Sequence, residues 1–422
     1  MANADVAGLG SVPALNIETK TRPARRPEPR RSRIPLRPLL LFLSAWLGGS
    51  WLIVGGWLET YLPGGWLTVA AIGSLAILPI RQLIRGFTRA SYPGKATRLF
   101  LLRPFWYAML SLPLLAVATL AGAGIGLPFG AARSTGDAVL AVAAVLLATF
   151  AIAGYLGSRR LVVRRFEVNL PRLPEAFEGM RLVQISDTHV GPHTPKRQLE
   201  RIAKAIEEAK PDLLAITGDQ VDDFPKDVEI FNQAFGKLKA PLGVFAIPGN
   251  HDIYAGWEAV RAGLEEAGIK VLVNEAVAVE RGGDKLWIAG TGDPAGRGIG
   301  SAAPDLLKTL ARVPQEEPVI ALAHNPALWP ALAASGVDLT LSGHTHYGQF
   351  AIPSRKWSAA SAFLDLAMGA HRRGRSLLYI HPGTLYWGLP LRIGTPPEVA
   401  VLTLRRSESE ESSLEQTGVE KR

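Results

Sequence analysis

The sequence predicts an α/β domain preceded by a four-helix transmembrane region, and three observations carry that reading. Residues 38–158 hold four apolar runs of about 20 residues with no charge inside them, the length a helix needs to cross the hydrocarbon core. Through residues 166–404, short β-like apolar runs alternate with segments whose apolar residues recur at helical spacing. Five of the β-like runs stop directly at a block of Asp, Asn or His.

The chain has 422 residues, too many for one ordinary soluble domain. It has no cysteine, which excludes disulfides, thiolate metal sites and cysteine nucleophiles. The formal charge of +9 is uneven. Arg22, Arg25, Arg26, Arg30, Arg31, Arg33 and Arg37 crowd residues 1–37 and abut the first apolar run. This segment therefore reads as a basic, disordered tail that orients the membrane region, and no nucleic-acid partner is expected.

The expected spans cover about 39–58, 62–80, 104–126 and 138–157, with Trp57, Trp66, Trp106 and Tyr155 near their ends, where amphipathic rings favour the headgroup region. Runs of this length without a polar face are not soluble helices, which need a wet side. The loop between the second and third spans carries Arg81, Arg85, Arg89, Lys95, Arg98 and Arg103, and the segment after the fourth carries Arg159, Arg160, Arg164 and Arg165. The other loops hold little beyond Glu59, Arg133 and Asp137. The positive-inside rule then puts the tail, the middle loop and the C-terminal domain in the cytoplasm of a multi-pass inner or plasma membrane protein. Arg30-Arg31 faintly resembles a twin-arginine signal, but three further spans follow and no small-residue cleavage site is evident. With no charge inside a span, the bundle reads as an anchor rather than a transporter.

In the second half, the runs end at Asp187, at Gly218-Asp219, at Pro248-Gly249-Asn250, at His324 and at Gly343-His344. Helical patterns at 195–210, 227–238 and 254–267 separate the first of them. Strand C-termini are where open α/β sheets place their sites. Asp187 and His189, like His344 and His346, stand two apart on extended backbone and can face one way. Any one block alone is an ordinary turn or a solvated histidine; their conjunction is not. Asp, Asn and His form a donor inventory for two hard or borderline divalent ions, and such a pair hydrolyses phosphate esters. The segment 405–422 is polar and aperiodic and is expected to be disordered.

Asp187-Thr188-His189, Gly218-Asp219-Gln220-Val221-Asp222, Gly249-Asn250-His251-Asp252, Ala323-His324-Asn325 and Gly343-His344-Thr345-His346 together resemble the signature of the calcineurin-like metallophosphoesterases. The resemblance covers about residues 166–404 and is nearest to the bacterial branch with N-terminal membrane segments, whose edges are similar to Phe166-Glu167-Val168 and to the run Trp387-Gly388-Leu389-Pro390-Leu391-Arg392. It implies a four-layer α/β/β/α sandwich with the site at one end of its sheets. It implies one ion on Asp187, His189, Asp219 and His346, a second completed by Asn250, His324 and His344, and Asp219 as the shared carboxylate. Two ions roughly 3.5–4 Å apart make hydroxide available from a common water near neutral pH. His, Asp and Asn suit Mn, Zn, Fe or Co alike.

His251 is the candidate acid for the leaving oxygen, and Asp252 either orients it or caps the helix that follows. Asp222 reads as loop support and His193 as a surface residue, while Asp293 receives no role. Arg372 and Arg373, with Arg375, form a basic cluster that binds substrate phosphate or is a solvated charge run. Tyr347 departs from the branch, which has glycine there, and His381-Pro382-Gly383 stands near where many relatives carry a basic residue.

The expected function is that of a membrane-anchored dinuclear phosphoesterase cleaving phosphodiester or pyrophosphate bonds, with a lipid-linked substrate favoured by the anchor. A narrower alternative is the UDP-2,3-diacylglucosamine pyrophosphatase activity of some relatives in lipid A synthesis. A non-catalytic membrane scaffold or sensor that retains the metal fold is the rival from another class, and the complete ligand set argues against it.

Overall fold

The computed structural model describes residues 38, 41–42, 44–89, 91–298 and 302–422. The arginine-rich tail 1–37 and the start of the first expected span, residues 39–40, lie outside the described residues. Among the described residues, three helical segments are long and apolar enough to cross a membrane: Trp66–Gly86, Lys95–Phe129 and Ala132–Gly157. They correspond to the second, third and fourth expected spans. The described part of the first is a π-helical turn, Ser44–Gly48, followed by the helix Gly49–Leu58, and it is not among the three.

The second segment outruns its expected end at residue 80, because a new helix, Ile77–Arg89, carries Pro79 in its first turn. There the missing N–H would have been unpaired anyway, so proline starts a helix rather than stopping one. The bundle packs through Val54, Ala116 and Leu140, and Asp137 accepts bonds from Trp57 Nε1 (2.8 Å) and Tyr61 Oη (2.6 Å).

Among the described residues of the remainder are fifteen strands: β1 (Val162–Leu170), β2 (Arg181–Ile185), β3 (Leu213–Ile216), β4 (Val244–Ala246), β5 (Lys270–Val271), β6 (Glu275–Arg281), β7 (Asp284–Gly290), β8 (Val319–Leu322), β9 (Leu339–Ser342), β10 (Ala351–Ile352), β11 (Trp357–Ser358), β12 (Gly369–Arg373), β13 (Ser376–Ile380), β14 (Glu398–Arg406) and β15 (Ser413–Lys421). One sheet runs β15-β1-β14-β2-β3-β4-β5 and the other β12-β13-β9-β8-β7-β6. Alternation along the strands sorts their faces. Leu182, Leu213, Ile288, Ile320 and Leu341 fill the space between the sheets. Val183, Ile185 and Leu214 instead meet Ile202, Ile206, Phe231 and Val260 from the helices Lys196–Ala209, Val228–Phe235 and Asn250–Glu266. Ala321 and Val337 pack with Leu332 of the helix Trp329–Ala334 on the far side. The layers are therefore α/β/β/α, as expected.

The tail beyond residue 404 is not disordered. β14 continues to Arg406, and β15 pairs antiparallel with β1 as the edge of the first sheet. An edge strand with wet faces needs few apolar residues, so its polar composition resembled a loose tail.

Topology also fixes where the chain joins the sandwich. Four residues separate the end of the helix Ala132–Gly157 from β1, and Val162 of β1 pairs with Glu398 of β14. β14 in turn pairs Ala400 with Gln184 of β2, so Glu398 stands level with Ser186, just past the C-terminal end of β2. The apolar helices thus meet the sandwich at the end where β2 releases Asp187. Contacts reinforce the junction: Arg392 N–H donates to Gly154 O (2.9 Å), Tyr107 Oη to Pro390 O (3.3 Å) and Tyr92 Oη to Asp227 (2.6 Å).

Candidate metal centre

The loops after β2, β3, β4, β8 and β9 converge. Asp187, His189, Asp219, His324 and His346 are buried there, and Asn250 and His344 are partly exposed beside them. The backbone is strained at this place. Asp187 (φ 53°), His189 (38°), Asp219 (52°), His344 (72°) and His346 (49°) all adopt left-handed conformations that side chains disfavour, so the fold must hold them there. It does so through Asp187 N–H to Gly218 O, His189 N–H to Asp219 O and Gly343 N–H to His324 O, each 3.0 Å. Close approach also requires glycine. A Cβ on Gly249 would lie 2.2 Å from Asp219 Oδ1, and one on Gly343 2.2 Å from Asp187 Oδ2.

Among the described residues donor atoms cluster in three overlapping groups, of which one joins His189 to Asp222 and His251. One atom each of Asp187, His189 and His346 lie within 4.8 Å of one another, as do those of Asp187, Asp219 and His324. Asp219 Oδ2 is 3.6 Å from His189 Nε2 and 3.2 Å from His324 Nε2, so it touches one imidazole of each group. Asn250 Oδ1 is 3.3 Å from His324 Nε2 and 2.8 Å from His344 Nδ1. His324 Nδ1 donates to Thr217 O (2.8 Å), which directs Nε2 at Asp219. His346 Nε2 stands 3.3 Å from Asp187 Oδ1 and 2.9 Å from His189 Nε2, while Arg392 Nη2 faces its Nδ1 at 3.0 Å. Arg392 thus fixes the ring of His346 with Nε2 turned into the cluster.

Burial raises the Asp187 carboxyl to about 6, against the pull of His324. Burial also pushes Asp219 up, but the rings of His324, His189 and His251 outweigh it and hold that carboxyl well below its usual range. The same contact works in reverse on His324, where burial lowers the ring and Asp219 raises it well above the ordinary value. A protonated His324 thus balances Asp219. Burial keeps His189 and His346 neutral and lowers His344 to about 4.

These observations answer whether the residues fit divalent ions. Three neutral imidazoles, a fourth at His324 that an ion would relieve of its proton, two carboxylates and an amide oxygen converge in a largely buried cluster. The buried His189 Nδ1 has no hydrogen-bond partner, with Asp222 Oδ1 at 3.7 Å the nearest acid. The donor set fits ions of the Mn, Fe, Co and Zn class.

The neighbouring residues divide. His251 Nδ1 contacts Asp222 O at 3.1 Å, and its ring stands edge-on to His189 (4.7 Å) and to Trp387 (5.6 Å). Asp252 does not orient it. Its carboxylate accepts Gln220 N–H (2.9 Å), Val221 N–H (3.1 Å) and Gly249 N–H (2.9 Å), which clamps the loop after β3 to the helix start and corrects the catalytic reading. Burial and the Asp219 charge nevertheless push it up to about 8. Arg372 and Arg373 lie away from the converging residues. They pair with Leu377 and Ser376 at the start of β13, whereas the candidate ligands follow β8 and β9 at the level of its other end, and Arg372 is engaged by Glu411. A run of exposed arginines at a hairpin is a solvated face.

His193 is mostly buried rather than on the surface, with Nε2 3.8 Å from Asp222 Oδ2. Burial, then Arg98 and Arg103, lower it to about 4. Tyr347 turns away from the centre and donates to Ile380 O (2.6 Å), so it braces the second sheet. Asp293 is buried and accepts Ala295 N–H (2.9 Å). Sequence reasoning missed Arg392, a buried cation bonded to Pro382 O (2.7 Å), Thr395 O (3.2 Å) and Leu385 O. Its only sequence signal was its place closing the Trp387–Leu391 run.

Calcineurin-like phosphoesterase is the family whose model matches residues 180–348, the stretch that contains every candidate ligand. The chain is 32% identical over 268 residues to an uncharacterized metallophosphoesterase of Aquifex aeolicus, covering 62% of this chain and 97% of that protein. It is 33% identical over 252 residues to an uncharacterized metallophosphoesterase of Helicobacter pylori (59% of this chain, 65% of that one). It is also 33% identical over 253 residues to a Danio rerio transmembrane protein with metallophosphoesterase domain (57% and 56%). The chain thus spans less than two thirds of the length of these last two relatives. It belongs to the calcineurin-like phosphoesterase family and is a metal-dependent phosphoester hydrolase.

Proposed function

We propose that this chain hydrolyses phosphodiester or pyrophosphate bonds of a lipid-linked substrate at the cytoplasmic surface of a membrane. The observation that carries the reading is the junction: the apolar helices join the sandwich at the same end as the converging ligands. In this proposal the helical segments span the bilayer, residues 166–404 with β15 form the catalytic unit, and the basic loops orient it inward.

Asp187, His189, Asp219 and His346 would hold one divalent ion, and Asn250, His324 and His344 with Asp219 the other. Ions held there would polarise the phosphoryl oxygens, activate water and offset charge in the transition state. Asp219 supports a shared role because one of its oxygens already meets an imidazole of each group. Asp222 would steady His189 and, through its carbonyl, His251. His251 would protonate the leaving oxygen. Trp387, half exposed beside His251, would flank the path by which the ester arrives.

The test uses the full chain in nanodiscs with Mn, Zn, Fe or Co supplied. Turnover of a polyprenyl pyrophosphate well above that of a soluble aryl phosphodiester supports the proposal. Equal turnover of both, unchanged in detergent, overturns the lipid-linked reading. Selective cleavage of UDP-2,3-diacylglucosamine would narrow it to that pyrophosphatase. Tight metal binding without hydrolysis of any ester would favour the sensor.

A further inference from the structure

The segment that follows the last candidate ligand runs back along the apolar helices. The Phe350 ring lies 5.7 Å from the ring of Phe150, which sits in the helix Ala132–Gly157. Phe150 precedes the end of that helix by seven residues, roughly 10 Å of axial rise. Phe350 therefore stands beside the helix, short of its end, and not beyond it. Tyr155 and Arg159, stacked as a ring and a guanidinium 5.3 Å apart, mark the level at which the helix leaves the apolar layer. Phe350 is on the apolar side of that level.

From Phe350 the chain forms the hairpin β10–β11 and the turn Ala359–Ala362. The piece is firmly mounted. Ala351 N–H donates to Ile393 O (2.9 Å), Ile393 N–H donates to Gln349 O (3.0 Å), and the adjoining Arg392 N–H donates to Gly154 O (2.9 Å). Phe350 and Trp357 rings meet edge to face at 5.7 Å. What it presents is apolar: Ile352 is 37% exposed, Trp357 40%, Leu364 43% and Phe363 88%. Arg355 and Lys356 are exposed at the hairpin tip among them. Clustered apolar surface of this kind marks an interaction face, and aromatic rings beside basic side chains match a bilayer interface, where rings sit among headgroups and cations meet lipid phosphates.

We infer that residues 350–364 form a foot that seats in the headgroup and outer acyl layer of the bilayer, continuous with the Ala132–Gly157 helix through the Phe150–Phe350 contact. This rests on the helices spanning a membrane, but not on the identity of the substrate. The foot, the last ligand His346 and the Arg392 segment then form one body, so the centre sits at a fixed height above the lipid.

The absence of cysteine makes the test clean. Phe363→Cys, Val145→Cys and Lys239→Cys are made in the full chain, labelled with an environment-sensitive fluorophore and placed in nanodiscs containing nitroxide lipids. Val145 is a lipid-facing control within the helix, and Lys239 precedes β4, at the opposite end of the sheet from the ligands. The label at 363 is expected to be quenched at least about twofold more than that at 239, and by shallow rather than deep nitroxides, as insertion of about 5–10 Å requires. Quenching at 145 with a water-exposed label at 363 would overturn the foot and leave the membrane reading intact. No quenching at either position would overturn both. Protection at 363 that follows protein copies per disc, not nitroxide lipid, would assign the face to a second copy and overturn the lipid seat.

Discussion

The two sheets build the centre with different chemistry. The loops after β2, β3 and β4 contribute Asp187, His189, Asp219 and Asn250, which include both carboxylates. The loops after β8 and β9 contribute only imidazoles: His324, His344 and His346. The carboxylate wall is fixed by its own backbone, with Asp252 clamping three N–H groups. The imidazole wall is steered from outside, by Thr217 O on His324 and by Arg392 on His346. Negative charge thus sits on the rigid side, while the opposing side adjusts its protons. His324 raised beside Asp219 shows the consequence, since a histidine proton does there what a cation otherwise does.

The sharpest way to break this contrast is Asp219→Ala. It should abolish hydrolysis and strip both ions, read by elemental analysis alongside turnover. A variant with full metal content and activity would remove Asp219 from its shared position. Next in size is His251→Ala, expected to retain metal and slow turnover by about 10²–10⁴-fold, the usual worth of a general acid. Loss of metal in this variant would move His251 into the coordination sphere. Arg392→Met should spare the carboxylate wall and weaken metal binding by about 10–100-fold through His346, the range typical of residues that orient a ligand. Unchanged affinity would mean that the ring needs no such support. Metal titration of the apo chain in buffers of different ionisation enthalpy should show net proton release from the imidazole wall. A buffer-independent heat would contradict the proton on His324. The smallest effect belongs to Arg372→Ala with Arg373→Ala, expected to alter stability by no more than about 0.5 kcal/mol and turnover hardly at all. A large rise in KM would return these arginines to the substrate.

The convergence of the candidate ligands was legible because their signal is local: an apolar run must stop where a sheet ends, and Asp, Asn or His at five such stops has no packing reason to be there. The α/β class followed from the same runs, and the four-layer order from the family resemblance. Roles set by the far partner of a side chain were not legible. Asp252 has the same spacing whether it bonds a histidine or three backbone amides, and only burial among Gln220, Val221 and Gly249 decides. Arg392 looked like any arginine near a turn until folding enclosed it beside His346. β15 hid because an edge strand wet on its faces has the composition of a loose tail. Arg372 and Arg373 misled for the opposite reason, since a basic cluster looks alike wherever the hairpin carries it.

The link from the last apolar helix to β1 is only Ser158–Leu161. With the helices embedded in a bilayer, as proposed, so short a tether leaves no slack for the catalytic unit to swing into bulk solution. For any ester that resides in the bilayer, the encounter becomes two-dimensional: rate follows molecules per unit area, and diluting the surface with inert lipid should slow turnover even when the bulk concentration stays constant.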